Sequence, residues 1–487
     1  MSLSSSLFSG ISGLSTLGNA MQIIGDNIAN VNTVGFKGSS FAFQDLLSQS
    51  VSTLSGTSQV GRGTALGDIQ ASFAQGSFES TGNTTDLAIG GDGFFVLKEQ
   101  GTENLYYSRA GNFNFNENGY LTNPEGYVVQ GWQLDSSGDD VGSITDVVMS
   151  SFTSPPQETD NAEVIVNLDS DGNDNSNGGT IVLGDDDSLS TAWNGSVMAT
   201  TPLTDTAYEY QTTIRAYDSL GSTHDVTMYF DKAGTVSNYD YEFIVTCNPS
   251  EDYRDDGTGT PLAGSSNAWT GLLGRGLINF DTSGSMTDIN FWRINGDGTE
   301  TAGTEGGAGM SNGYFTFEPV LLSGGSAQTI ELNLGTRYNG SGWVNSSLSS
   351  SQYASASTTT FQSANGYGAG DLEGVNVDVD GVITGSYSNG QLIPLYRVGL
   401  AKFQNTQGLF KEGGNLYSET RQSGSAITNK PGTNGLGSIA PNALEQSNVD
   451  IANELVKMIT TQRGFQANSK IITVTDQMLS ELINIKR

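Results

Sequence analysis

The sequence predicts a mostly β protein with helical ends. Nested, discontinuous β outer domains are carried by an α-helical, coiled-coil-like terminal domain. Three observations carry this. Apolar residues recur at three- and four-residue steps only near the two ends. Short apolar runs separated by turn dipeptides fill the interval between them. Of the 487 residues 64 are glycine, about twice the usual share and without a collagen-like period, as a turn-rich β protein requires.

The N-terminal periodicity runs through Leu3, Leu7, Ile11, Leu14, Leu17, Met21, Ile24, Ile28 and Val31, an amphipathic helix with a coiled-coil-like seam. Its other face is Ser, Gly, Asn, Thr and Gln, and Asp26 is the only charge before Lys37. A helix facing water normally carries Lys and Glu there, so this face too is expected to pack against neighbours. The C-terminal helix repeats the pattern with Ile451, Leu455, Met458, Phe465, Ile472, Leu479 and Ile483. The spacing Ser447 to Asp450 predicts a capping box at its start. Neither helix can bury its stripe alone, so the two are expected to pair and to bundle with other copies.

Between them the signals are β. Residues 87–132 contain Phe94-Phe95-Val96-Leu97 and Tyr127-Val128-Val129, set off by Asn118-Gly119 and Glu125-Gly126. Residues 370–425 read similarly, with Asn389-Gly390 before a strand over 395–403. Paired termini would bring these two blocks together. The expected division is therefore a terminal helical domain of 1–36 plus 441–487, a linker over 37–86, an inner β domain of 87–150 plus 366–440, and an outer β insertion over 151–365, as one or two domains. The insertion holds 27 acidic and 6 basic residues. Strand patterns within it include Gln211–Tyr217 and Asp225–Phe230.

The formal charge of −32 repels phosphate backbones and argues against nucleic acid as a partner. No run of 18 apolar residues exists, so no membrane insertion is expected. The N-terminus lacks a basic n-region and a continuous apolar run. The single cysteine, Cys247, cannot form an intrachain disulfide. Asp169–Asn175 is similar in spacing to a calcium loop, but Asp174 and Thr180 stand where an EF-hand needs Gly and Glu, so it reads as a solvated acidic turn, as does Asp185-Asp186-Asp187. No Walker, HExxH or CxxC motif is present, and a hydrolytic triad would have to use the only histidine, His224. No catalytic, metal or cofactor site is expected, and the chain is read as no enzyme.

Ala29-Asn30-Val31-Asn32-Thr33-Val34-Gly35-Phe36-Lys37 resembles the signature of the flagellar axial proteins, the rod, hook and hook-associated subunits. Ser447–Ile459 and Gln462–Asn468 are similar to the family's C-terminal motif. Asp92–Phe95, Tyr107–Gly111 and Asn118–Leu121 are similar to its β-domain motifs. The resemblance spans roughly the first 150 and last 120 residues in the right order. A large central insertion and a hook-like turn at Asp218–Asp225 favour a hook subunit over a distal rod subunit. From another class, an extracellular β-rich adhesin or carbohydrate-active protein would fit the acidic centre but not the terminal helices.

What the resemblance implies is a structural subunit that self-assembles into the hook, the flexible joint passing torque from rod to filament. It implies export by the flagellar apparatus without a cleaved signal and an extracellular place. It also implies contacts with further copies, the distal rod protein, the hook cap, the hook-length control protein and the hook–filament junction protein. Hook proteins of spirochaetes join neighbouring subunits by a lysinoalanine link, in which a Cys followed by Asn becomes dehydroalanine and takes up a Lys. Cys247-Asn248 matches that dipeptide, and Lys232, the insertion's one lysine, is the candidate partner. The residues alone read equally as a small buried thiol ending a strand.

Overall fold

The computed structural model describes residues 2–53, 56–135, 137–149, 151–175, 188–196, 201–233 and 239–485. Helices stand at both ends, Ser2–Ala29 and Ile451–Ile485, and the chain between them is strands and turns. No helix among the described residues is long and apolar enough to cross a membrane. The chain divides into two compact units, residues 1–152 with 372–487 and residues 153–371.

In the first unit the two flanks of the chain interleave. Phe94–Lys98 pairs with Leu105–Ser108 on one side and Val128–Leu134 on the other, and the latter pairs with Leu392–Val398. Leu87–Gly90 pairs with Ser438–Pro441 and Phe78–Ser80 with Ala443–Glu445, so strands more than 300 residues apart are neighbours. Leu87, Ile89, Phe95, Leu97, Phe113, Val129, Val398, Leu400 and Ile439 form one core from both flanks. The strand expected over 395–403 is two, Leu392–Val398 and Leu400–Lys402. The break is at Gly399, where a β-carbon would lie 2.6 Å from Ile144 Cδ1.

The expected linker over 37–86 is largely a β-hairpin. Ser39–Asp45 pairs antiparallel with Thr64–Ala71, and Gln49–Thr53 with Gly56–Val60. The Gln407 side chain ties its base down, donating to Ala71 O and accepting from Ala71 N. Composition misled here. The ribbon is held by backbone pairing and by the first helix, where Thr64 N donates to Ser12 Oγ at 3.3 Å and Thr64 Oγ1 lies 3.2 Å from Thr16 Oγ1, contacts that composition does not announce.

In the second unit a six-stranded antiparallel sheet runs in order Tyr210–Tyr217, Thr223–Lys232, Asp240–Cys247, Leu272–Phe280, Met286–Ile294 and Glu300–Ala302. A second sheet is built around Asn161–Asp169, with Thr358–Ala364 antiparallel and Ile330–Asn333 parallel to it. Val164, Val166, Val226, Phe243, Phe291 and Phe317 belong to a single core shared by both sheets.

Candidate assembly interface

The terminal helices pair through their small residues. Gly10, Gly13, Thr16, Ala20, Ile24 and Asn27 are the buried stripe of the first helix, and Glu454, Thr461 and Thr475 are buried on the second. A β-carbon at Gly13 would lie 2.8 Å from Asn468 Oδ1, and one at Gly10 would lie 3.2 Å from Ile472 Cγ1. Leu17 Cδ1 meets Gly464 in the same way, at 3.3 Å. Small residues at the crossing bring the axes close, so one side chain fills each gap. The buried hydroxyls satisfy themselves on the helix: Thr16 Oγ1 donates to Ser12 O at 2.9 Å and Thr475 Oγ1 to Ile471 O at 2.8 Å. Asn27 Nδ2 donates to Ser39 O, and Asn27 Oδ1 accepts from Ser39 N, both at 2.8 Å.

The apolar seam read from the sequence therefore enters the intrachain contact only in part, through Leu17 and Ile472. Ile24 alone of it is buried. Leu7, Leu14, Leu17, Met21, Ile28, Met458 and Ile472 are half-buried, and Ile451, Leu455, Phe465 and Leu479 are exposed. Leu3 lies in the helix, its side chain outside the described part. Phe8 is 65% exposed and Val456, Ile459 and Ile483 are 60%, 50% and 69% exposed, so the outward faces of both helices carry exposed apolar side chains. The capping residue of the second helix is Asp450, not Ser447. Its carboxylate accepts from Ala452 N at 2.8 Å and Asn453 N at 3.3 Å, whereas Ser447 Oγ accepts only from Val449 N. A carboxylate one residue before the first turn competes better for its free N–H groups than a hydroxyl further back.

The Ala29–Lys37 motif is the junction between helix and β core. Ala29 ends the helix. Asn30 Nδ2 donates back to Asp26 O at 2.9 Å, and Thr33 Oγ1 to Asn30 Oδ1 at 3.1 Å, so the turn holding Val31 and Asn32 closes on itself. Gly35 has φ +68°, and a β-carbon there would lie 2.5 Å from Ala110 N, so only glycine fits. Its N–H donates to Glu445 O at 2.7 Å. The Phe36 ring lies 5.7 Å beneath Lys411 Nζ.

Lys37 is completely buried. Its ammonium donates to Glu445 Oε1 at 2.7 Å and to Ala74 O at 2.8 Å. Glu445, also fully buried, accepts from Gly76 N at 2.9 Å and from Arg109 Nη1 at 3.4 Å. Arg109 lies 5.4 Å from the Phe94 ring centroid. Burial pulls the Lys37 and Arg109 groups below their ordinary values, and the Glu445 carboxylate opposes it. Asn448 completes the joint, accepting from Gly38 N at 2.9 Å and donating to Ser72 O at 2.7 Å. One carboxylate thus holds the N-terminal motif, the C-terminal segment and a β turn together. Sequence reading named Lys37 and, within the motif Tyr107–Gly111, Arg109; it missed Glu445 and did not assign the intrachain contact to the small-residue stripe. Gly10, Gly13, Thr16 and Ala20, at three- and four-residue steps, were its one available signal.

In the second unit Cys247 is buried at a strand end, where burial pushes its thiol up. Asn248 caps the following turn, its Oδ1 accepting from Ser250 N and Oγ. Lys232 is half-buried and donates to Ser170 O at 2.8 Å. The register sets Cys247 opposite Val226 and Lys232 opposite Tyr241, so the two lie six residues apart along one ladder, roughly 20 Å. His224 is buried, with Nδ1 2.8 Å from Glu251 Oε2 and Nε2 3.4 Å from Asp218 Oδ2. The Asp169 carboxylate accepts from Asp171 N within its turn. Asp185–Asp187 lie outside the described residues.

Four family models match the chain. They are the flagella basal body rod protein over residues 7–37, the flagellar hook protein FlgE/F/G D1 domain over 88–173, the flagellar basal body protein FlaE D2 domain over 185–367 and the flagellar basal body rod FlgEFG protein C-terminal over 440–485. The flagellar hook protein FlgE of Borreliella burgdorferi is 33% identical over 509 residues, covering 99% of both chains. That of Treponema pallidum is 31% identical with the same coverage, and that of Escherichia coli is 29% identical over 98% of both. The likeness runs through the central insertion as well as the ends, and the chain belongs to the flagellar hook protein family.

Proposed function

We propose that the chain builds the hook as a homopolymer held by its terminal helices. The observation that carries this reading is the helix pair itself. It meets through glycine, threonine and asparagine and leaves Phe8, Ile11, Leu455, Val456, Ile459 and Phe465 facing outward. Apolar surface of that extent on paired helices calls for a partner, and the same surface on every copy supplies one. Segments 1–36 and 441–487 build the tube wall, 37–86 connects them to the inner β domain of 87–150 and 366–440, and the acidic insertion 151–365 faces solvent. Distal rod, hook cap, hook-length control and junction proteins are the other contacts. Lys37 and Glu445 are 408 positions apart, so the first unit closes only when nearly the whole chain is present, which suits export in an unfolded state. Electron microscopy of the purified protein in polymerising salt is expected to give short curved tubes. Globular particles under every salt condition would overturn the reading.

A covalent link between copies is a second reading, favoured by one observation. Cys247 and Lys232 sit at opposite ends of one strand pair, so a bond between them fits two copies and not one. Cys247 loses its Cα proton and its sulfur as hydrogen sulfide, leaving dehydroalanine. Lys232 Nζ of the next copy adds to Cβ, and a proton returns to Cα, with no change in oxidation state. Assembled hooks are then expected to give multimer ladders that survive boiling in detergent with reductant. Cys247→Ala abolishes them without stopping tube formation, and Asn248→Ala slows them. The linked peptides weigh their sum less one hydrogen sulfide. An intact Cys247 thiol in mature hooks ends this reading.

A further inference from the structure

The segment that follows Cys247 is held at two points of different strength. At the inner point, Asp252 is fully buried, and its carboxylate accepts from Gly271 N at 2.7 Å and pairs with Arg254 at 2.7 Å. At the outer point, Glu251 has a side chain 37% exposed and is held by His224 at 2.8 Å. His224 is fixed in turn by Asp218, whose other carboxylate oxygen accepts from Leu220 N and Ser222 N. Cys247 itself is 4% exposed, and its N–H donates to Gly271 O at 2.8 Å. Beside the turn is an open pocket of about 230 Å³, lined by Gly195, Ser196, Pro202, Asn248, Pro249 and Ser250 among others. The contact that ties the outer half of the turn to the neighbouring strand is therefore the partly exposed one, and the buried Asp252 node lies on its inner side.

We infer that the His224–Glu251 contact is a latch that keeps the Cys247–Asn248 dipeptide closed and positions it. His224 is a positioning residue here, since nothing brings it to the thiol. Local opening in proteins runs through the contacts that are fewest and wettest; the Asn248 cap on Ser250 holds the outer half of the turn from within, and the partly exposed Glu251 carboxylate ties it to His224 on the strand Thr223–Lys232. In the assembled tube, opening the latch exposes Cys247 to the base and amine that the coupling needs, and that consequence rests on the covalent reading above.

The sole cysteine makes the test direct. The full-length protein is treated with N-ethylmaleimide under native conditions, and Cys247 labelling is followed by mass spectrometry. Loss of a hydrogen bond to a charged group is expected to raise the labelling rate of His224→Ala by about tenfold or more. Glu251→Ala, at a half-exposed position that leaves no core cavity, is expected to do the same with the circular dichroism spectrum unchanged. If His224→Ala fails to fold, the Glu251→Ala rate decides alone. Rates within twofold of wild type in the folded variants overturn the latch. Ladders in assembled hooks separate the two ideas. Their absence in the wild type sinks the covalent reading while the labelling rates still judge the latch.

Discussion

Replacing Glu445 with alanine is expected to unfold the β part of the terminal unit and leave residues 153–371 folded. The substitution strands two buried cations, Lys37 and Arg109, and leaves Gly76 N without its acceptor. Removing one partner of a buried ion pair costs about 3–5 kcal/mol, because the remaining charge stays desolvated. A domain holds only about 5–15 kcal/mol in total, so the loss is a large share of it. Glu445→Gln keeps an acceptor for Gly76 N and Lys37 but loses the charge, and is expected to lie between the two. Hydrogen exchange read by mass spectrometry checks this strand by strand. Leu87–Gly90 and Ser438–Pro441 lose protection, while Asp240–Cys247 keeps its own. Equal protection of the first pair in wild type and variant would show that the ion node is dispensable.

The second large effect falls on assembly rather than folding. Leu455 and Ile459 stand one turn apart on the outer face of the C-terminal helix, 44% and 50% exposed. In the isolated subunit Leu455→Glu with Ile459→Glu should change stability by little, since both sites already meet water. In the tube each substitution forfeits about 1 kcal/mol or more of apolar burial and buries a carboxylate at several kcal/mol. At 1.4 kcal/mol per tenfold, the concentration needed for polymerisation rises by more than about a thousandfold. Sedimentation in polymerising salt should leave the double variant wholly in the supernatant, with the circular dichroism of wild type. Normal tubes from this variant would move the assembly surface away from the helices.

These two expectations draw on different kinds of information. The Leu455–Ile459 face is readable from residue order, because helical periodicity is a local property. Which side of that helix its own chain would use is not. The sequence suggested the apolar seam for the intrachain contact, but Gly10, Gly13 and Gly464 are what let the two backbones approach, and closeness outweighs apolar content at that crossing. The hairpin over 39–71 was hidden for a related reason. It is held by backbone pairing and by hydrogen bonds from Thr64 to Ser12 and Thr16 of the distant first helix, contacts that no local pattern announces.

The sequence by itself determined the helical ends, the β interior with turns at Asn118-Gly119 and Asn389-Gly390, the acidic insertion and the family. Each of these depends on neighbours in the chain or on runs of residues. Only the tertiary structure decided that Lys37 meets Glu445 and Arg109, that Asp450 caps the last helix, and that His224 faces Asp218 and Glu251 beside the turn after Cys247. Charge pairing is a matter of proximity in space, and one carboxylate among 52 acidic residues carries no mark of its partner until the strand Ala443–Glu445 has docked against Phe78–Ser80.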